Sequence, residues 1–395
     1  MRPPTEEPLA RLLAALEREL PAAIELRHRL HAEPELAHAE ERTAATVARA
    51  LPVASATVAG TGRIAQVGPA GAGAVAVRAE LDGLPIRELT GAPFAASGAV
   101  MHACGHDVHM AALVALARAA HALGEQLPAP LLAVFQPSEE AYPSGAERLA
   151  REELAQLAPA AVVAAHVHPE LPWGALALDA GAVNASSDSV EITVEGEPAH
   201  AAYPHLGRDP VLAIAQIVVA LHAQVGRRID PHEPAVLSVG VLEGGGAENV
   251  IPSHARARAA LRAHRPQERQ ALRELVEEVV AGVAAANGCR AHVELIAGEP
   301  ALENDAAIVA RARELLAGAR LAPAREWRSS GSDDFAFFGA LAPIAMAFVG
   351  LEGAEGFTTR PLHHPELLPP DEAVGALARA QALLYIAAAR SVTGG

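Results

Sequence analysis

The chain has 395 residues, 51% of them hydrophobic, which exceeds the size at which a single core usually stops growing and makes two domains the default expectation. Its 31 Lys plus Arg face 47 Asp plus Glu, a net charge of −16 that repels phosphate backbones and anionic lipid and argues against nucleic acid and membrane surfaces as partners. With only two cysteines, Cys104 and Cys289, no signal-peptide core at the N-terminus and no apolar run of bilayer length, a cytoplasmic protein is expected.

The first helical spacing, RLLAALERELPAAIELRHRLH, is expected to break at Pro21. Continuous apolar runs at 74–80, 131–136 and 161–167 predict strands buried on both faces, as in a parallel sheet under helices. A long alanine-rich helix after His109 and another over 145–156 separate them. From about residue 186 the texture changes. SVEITVEGE alternates, helical spacing follows in DPVLAIAQIVVALHAQV, and then come AVLSVGVLEGG, ARARAALRAH, a helix over 267–286 and AHVELIA. That β-α-β-β-α-β order predicts a ferredoxin-like α+β unit. After residue 298 the earlier style resumes, with a helix over 304–317, the strand IAMAFVG and a closing helix over 371–390. The expected fold is therefore α/β in two domains. A mostly parallel-sheet catalytic domain spans 1–185 and 299–395, and an inserted ferredoxin-like α+β lid and dimerisation domain spans 186–298.

Reactive residue types gather at the predicted strand ends. Asp82 follows the first strand, Glu139 and Glu140 follow the second, and His166 with His168 closes the third. In open parallel sheets the loops beyond the carboxyl ends of strands converge on one crevice. These groups should therefore meet MHACGHDVHM, residues 101–110, which holds three histidines, a cysteine and an aspartate. Thiolate, imidazole and carboxylate form a donor set suited to zinc and similar divalent ions. A cysteine-protease pair is the rival reading of CGHD. The adjacent carboxylates in QPSEE favour the metal, because one can bind a cation while its neighbour moves protons. Taken singly, a strand-end histidine is more often just hydrogen-bonded, an EE pair a solvated face, and Cys104 a small buried hydrophobe. Their co-location at successive strand ends is what points to a site.

RAELDGLPI, MHACGHDVHM, FQPSEE, AAHVHP, HAAYPHLGRDP, ENVIP, SDDFAFF and LHHPEL, in this order, resemble the co-catalytic metallopeptidase family of aminoacylases, hippurate hydrolases, carboxypeptidase G and plant auxin-conjugate hydrolases. The likeness is closest to the hippurate and auxin-conjugate amidohydrolase branch, marked by the cysteine in HACGHD, and it begins at RHRLHAEPELAHAE, residues 27–40. The resemblance implies Cys104, His106, Glu140, His166 and His363 as ligands for two divalent ions per subunit, manganese or zinc first and cobalt or nickel next. It implies Glu139 as general acid/base, Asp82 as the aspartate that orients a ligand, and His102, Asp107 and His109 as support. It further implies His200 as a lid histidine reaching the active site of a partner subunit, hence a homodimer or larger assembly, with Asn249 and Arg262 holding the substrate carboxylate. Chemistry alone does not choose between His363 and His364, and the resemblance points to His363; His168 matches no ligand. Glu80 stands where the branch usually has Asp. The implied reaction is hydrolysis of a small-molecule N-acyl amino acid to a carboxylic acid and a free amino acid, by a metal-bridged water that loses its proton to Glu139. A dipeptidase or a biosynthetic N-acetyl-amino-acid deacetylase of the same family is the alternative. A silent ligand-binding homologue and a structural zinc protein are the rivals from other classes.

Overall fold

The expected buried strands form the centre of an eight-stranded sheet in a computed structural model that describes residues 7–71 and 73–393. Leu131–Gln136, Val75–Glu80, Ala161–Pro172 and Ile344–Glu352 lie side by side in that order, all parallel. Every residue of the first two is buried, as expected of a mostly apolar strand covered on both faces, and the polar Arg78 and Gln136 are paired to each other at 2.8 Å. Shorter strands extend the sheet: Gly62–Val67 and Ala56–Val58 run antiparallel on one side, and Ala175–Ala177 with Ala322–Pro323 lies on the other. The apolar pattern does not announce these, since three of them are only two or three residues long and the fourth, Gly62–Val67, has mixed burial. Helices Glu7–Ala32, His106–Leu123 and Glu372–Thr393 pack together on this sheet and share its core.

The first of these helices runs unbroken through Pro21, contrary to the expected break. A mid-helix proline costs about 3 kcal/mol through a lost hydrogen bond and a crowded carbonyl. Leu12, Leu16, Leu26 and Leu30 are buried on either side of it, and burial of each stabilises by about 1.5–3 kcal/mol, which outweighs that cost.

This unit runs to Gly181 and takes in Glu303–Trp327 and the chain from Phe337 onward; the second unit comprises Ala182–Leu302 and Arg328–Ala336. The segment Arg328–Ala336 thus packs apart from the stretch 299–395 to which its sequence position assigned it. The reason is backbone pairing within the second unit: Ser329 N–H donates to Val183 O at 2.8 Å, and Ala185 N–H donates to Ser329 O at 3.1 Å.

In the second unit four antiparallel strands lie in the order Arg290–Ala297, Ser186–Glu195, His254–Ala263, Ala235–Gly244. Helices Pro210–Arg228 and Pro266–Ala286 contribute to a core shared with these strands, which gives the expected ferredoxin-like arrangement. Along Ser186–Glu195 the burial alternates, with Val190, Ile192 and Val194 inside and Ser189 and Glu195 outside. The stretch DP starts the first helix: Asp209 accepts from Val211 N–H at 2.9 Å and Leu212 N–H at 3.1 Å, and Pro210 occupies the first turn. Among the described residues this helix alone has the length and composition to cross a membrane. Its Ala213, Ile214, Ile217 and Leu221 are buried in the core of the second unit.

One inward position of Ser186–Glu195 is charged. Asp188 is 2% exposed and accepts from Arg269 at 2.9 and 2.6 Å and from Arg273 at 2.9 and 2.8 Å. Burial alone would raise its carboxyl, but the two guanidinium groups outweigh it and hold it down at about 2. Asp188→Ala is expected to cost about 3 kcal/mol, the low end for breaking a buried pair because both arginines keep some solvent. Since the folded carboxyl lies below its ordinary 3.8, the stabilisation is fully present above that pH and fades as pH falls through about 2. Urea unfolding of both chains should show the deficit at pH 7 and a shrinking one on acidification; a deficit independent of pH would remove the ion pair as its cause.

Candidate metal centre

Asp82 lies just past Val75–Glu80, Glu139 and Glu140 lie past Leu131–Gln136, and His166 sits inside Ala161–Pro172, which continues beyond its expected end. Because the three strands are parallel, these residues share the carboxyl edge of the sheet. The stretch CGH delivers two more donors there. Gly105 has φ 84°, and a Cβ on it would fall 2.5 Å from Val167 Cγ2, so glycine alone suits both the dihedral and the space. His106 then opens the helix His106–Leu123.

Backbone carbonyls set the imidazole tautomers. His166 Nδ1 donates to Val167 O at 2.6 Å, which turns the lone pair of Nε2 toward Cys104 Sγ at 3.5 Å. His106 Nδ1 donates to Asp82 O at 2.9 Å, and its Nε2 faces Glu139 Oε2 at 3.9 Å and Glu140 Oε1 at 4.0 Å. His363 Nε2 lies 3.3 Å from the same Glu140 Oε1. His363 adopts φ 66°, and its N–H donates to Ala103 O at 2.8 Å, which ties it to the loop bearing Cys104. The His364 ring instead accepts Glu366 N–H at 3.1 Å in its own turn. The structure thus brings Cys104, His106, Glu139, Glu140, His166 and His363 into one connected group.

Neighbouring side chains hold that group. Asp82 Oδ2 accepts Glu140 N–H at 2.8 Å, and Oδ1 lies 3.6 Å from His106 Nδ1. His109 Nδ1 donates to Glu80 Oε2 at 2.8 Å and its Nε2 accepts Val167 N–H at 3.1 Å, so both ring nitrogens are used and His109 supports the strand of His166 rather than offering a lone pair. Asp107 accepts from Arg27 Nε and from His31 Nδ1, each at 3.0 Å, and His31 Nε2 reaches Glu88 Oε1 at 3.0 Å. Burial by itself would lower His31, but Asp107 and Glu88 outweigh it and raise it to about 9. His102 is pushed down to about 4 by burial, and neither of its ring nitrogens has a hydrogen-bond partner among the described residues. His168 accepts Glu170 N–H at 3.3 Å and packs its ring against Trp327 at 4.9 Å. The resemblance includes residues 27–40 but assigns no role to Arg27, His31, His38 or Glu40; the four-residue spacing of Arg27 and His31, which sets them on one helix face, is a further signal for the first two.

A divalent cation suits this group. His106 Nε2 and Glu140 Oε1 are buried and have no hydrogen-bond partner among the described residues. Their separation of 4.0 Å is too long for a hydrogen bond and about twice a metal–ligand distance of roughly 2.0–2.2 Å. One donor atom each from Cys104, His106 and Glu140 lies within 4.8 Å of the others, a sulfur, nitrogen and oxygen set fit for zinc-like ions. Burial opposes charge on His106, yet the carboxylates of Glu80, Asp82 and Glu140 outweigh it and raise the imidazole to about 10. That is the mark of a site with negative charge in excess.

The remaining expected residues belong to the second unit. His200 pairs with Val250 across the two-stranded ribbon Ala199–His200 and Val250–Ile251, and Asn249 O accepts Ala201 N–H at 3.0 Å, so the structure brings His200 and Asn249 together, both exposed. Arg262 stands apart on His254–Ala263, where its Nη1 donates to Ser187 Oγ at 2.6 Å.

The description of peptidase family M20/M25/M40 matches residues 76–385. The chain is 33% identical over 384 residues to the N-acetyl-L-cysteine deacetylase of Bacillus subtilis (strain 168), covering 96% of this chain and 89% of that one. It is 33% identical over 375 residues to the N-acetyldiaminopimelate deacetylase of Halalkalibacterium halodurans, covering 93% and 99%. The fold matches the YXEP protein of Bacillus subtilis, a dinuclear metal binding peptidase from the M20 family, with a TM-score of 0.83 and 29% identity over 94% of this chain and 98% of that one. Likeness of this extent, in sequence and fold together, makes the chain a member of peptidase family M20/M25/M40 and a hydrolase of amide bonds.

Proposed function

We propose that the protein is a metal-dependent amidohydrolase that cleaves N-acyl amino acids to a carboxylic acid and a free amino acid. The observation that carries this reading is the unequal placement of two adjacent carboxylates. Glu140 offers an oxygen that groups with Cys104 and His106 and lies 3.3 Å from His363 Nε2, whereas Glu139 Oε2 approaches His106 Nε2 at 3.9 Å without joining that group. The first arrangement suits a ligand and the second a base.

Cys104, His106, Glu140, His166 and His363 would hold two divalent ions, manganese or zinc first, with cobalt or nickel as substitutes. When bound, such ions polarise the amide carbonyl and lower the pKa of the attacking water. Glu139 takes the proton of that water and delivers it to the leaving amine nitrogen. Asp82 keeps His106 oriented and pins the Glu140 backbone. His200 serves the oxyanion across a homodimer, and Asn249 and Arg262 hold the substrate carboxylate, with the second unit acting as lid and dimerisation domain. Exposed Val211, Leu212 and Val219 on the outer side of Pro210–Arg228, with Leu242 on the edge strand Ala235–Gly244, support self-association of that unit. Among the described residues neither Cys104 nor Cys289 is joined in a disulfide, and a reducing cytoplasm would keep Cys104 available to metal.

A second reading within the same chemistry is deacetylation of a biosynthetic N-acetyl amino acid, favoured by the substrates named for the two relatives. Release of free amino acid from N-acetyl, N-benzoyl, long-chain N-acyl and indoleacetyl amino acids and from dipeptides, after chelation and reloading with manganese or zinc, tests both. Metal-dependent release from several acyl classes is the expected result. Release from N-acetyl substrates alone would select the second reading, and release from dipeptides alone would overturn the proposal.

A further inference from the structure

The segment RHRLHAEPELAHAE, residues 27–40, contributes nothing to the donor group, yet it bonds to three segments that carry it, each time one residue away from a site residue. Arg27 and His31 hold Asp107, the neighbour of His106, at 3.0 Å each. Glu35 O accepts from Gly83 N–H at 2.8 Å, next to Asp82, and Leu36 bridges to the same glycine. His38 and Glu40 hold Ser138, which precedes Glu139. Ser138 N–H donates to Glu40 Oε1 at 2.8 Å, and the Ser138 hydroxyl accepts His38 N–H at 2.9 Å. His38 Nδ1 at 2.9 Å and Glu40 Oε1 at 3.3 Å are acceptors for the single proton of that hydroxyl. Glu40 is itself fixed from its other side by Thr61 Oγ1 at 2.7 Å.

The Ser138 contact bears most directly on the chemistry. Ser138 has φ 53° and His38 has φ 67°, left-handed conformations that cost an L-residue about 1–2 kcal/mol each and persist only where the surroundings impose them. Ser138 and Glu40 are buried, so without the Glu40 carboxylate the Ser138 N–H would be an unsatisfied buried donor. That turn is what sends the chain from the strand Leu131–Gln136 to the two glutamates.

We propose that residues 27–40 form a three-point positioning clamp, in which Glu40 and His38 lock the Ser138 turn and thereby set the reach of Glu139. The clamp rests on the reading of Glu139 as acid/base given above. It makes Glu40 and Ser138 positioning residues that act on turnover and leave binding largely alone. In an assay of the full metal-loaded chain with the most rapidly cleaved conjugate, Glu40→Ala is expected to lower kcat by about 10–100-fold, since a misplacement on the order of 1 Å has that effect. KM should stay within about twofold and the metal content should be unchanged. Glu40→Gln keeps an oxygen for Ser138 N–H and should recover most of the kcat. Full kcat in Glu40→Ala, an equal loss in Glu40→Gln, or a loss that follows metal content would overturn the clamp. If Glu40→Ala does not fold, Ser138→Ala decides: a kcat loss of about fivefold or more at unchanged metal content supports the clamp, and an unchanged kcat overturns it. Glu139→Gln run alongside separates the two readings. An inactive Glu139→Gln beside a fully active Glu40→Ala removes the clamp alone, whereas an active Glu139→Gln removes the acid/base reading and the clamp with it.

Discussion

Glu139→Gln is expected to lower kcat by about 10²–10⁴-fold, the usual contribution of a positioned general acid/base, while both ions stay bound. The substitution keeps the shape of the side chain and removes only its ability to accept a proton from water and return it to the amine. Glu139 Oε2 lies 3.9 Å from His106 Nε2, so a neutral amide there leaves Cys104, His106 and Glu140 where they are. The expected pattern is a collapse of kcat with KM changed little, measured together with metal content by elemental analysis. Loss of the ions in step with the activity would mean that Glu139 is a ligand and that the two glutamates have exchanged roles.

His106→Ala is expected to abolish both turnover and metal-linked stability. In the native chain a metal present at about a thousand times its Kd adds about 4 kcal/mol to folding stability, which for domains of this size raises Tm on the order of 10 °C. Chelation should remove that increment, and manganese or zinc should restore it. In His106→Ala the metal should raise Tm little or not at all, because Nε2 is the buried unpaired atom that faces Glu140. His109→Ala is the matched control. Both of its nitrogens are engaged, by Glu80 and by Val167 N–H, so this variant should keep a metal-dependent Tm while losing some stability. An equal metal response in His106→Ala and the native chain would move the ions elsewhere.

Much of this was legible in the order of residues. Mostly apolar runs marked Val75–Glu80, Leu131–Gln136 and the start of Ala161–Pro172, because a strand buried on both faces favours apolar side chains and admits polar ones such as Arg78 and Gln136 only when they are paired. The reactive residues stood out because they begin where those runs stop. The β-α-β-β-α-β order of the second unit was equally plain, its alternation imposed by a sheet with one covered face. Pro21 was misleading: local preference says break, and a buried leucine face on both sides says continue. The place of Arg328–Ala336 was not readable either, since it depends on backbone bonds from Ser329 to Val183 and Ala185, far away along the chain.

The sequence by itself determined which residues are apolar enough to become central strands, where the chemically able side chains sit relative to the ends of those strands, and which donors a metal could use. Only the tertiary structure decided which of two adjacent histidines faces Glu140, through the left-handed φ of His363 and its bond to Ala103. Only the tertiary structure showed which partners His109 supports, Glu80 and Val167, and joined Glu40 to Ser138 across 98 positions of the chain. Burial preference is carried by each residue and its near neighbours and repeats with the period of the helix or strand. Which polar group satisfies which buried partner depends on how distant segments pack, and no local pattern records that.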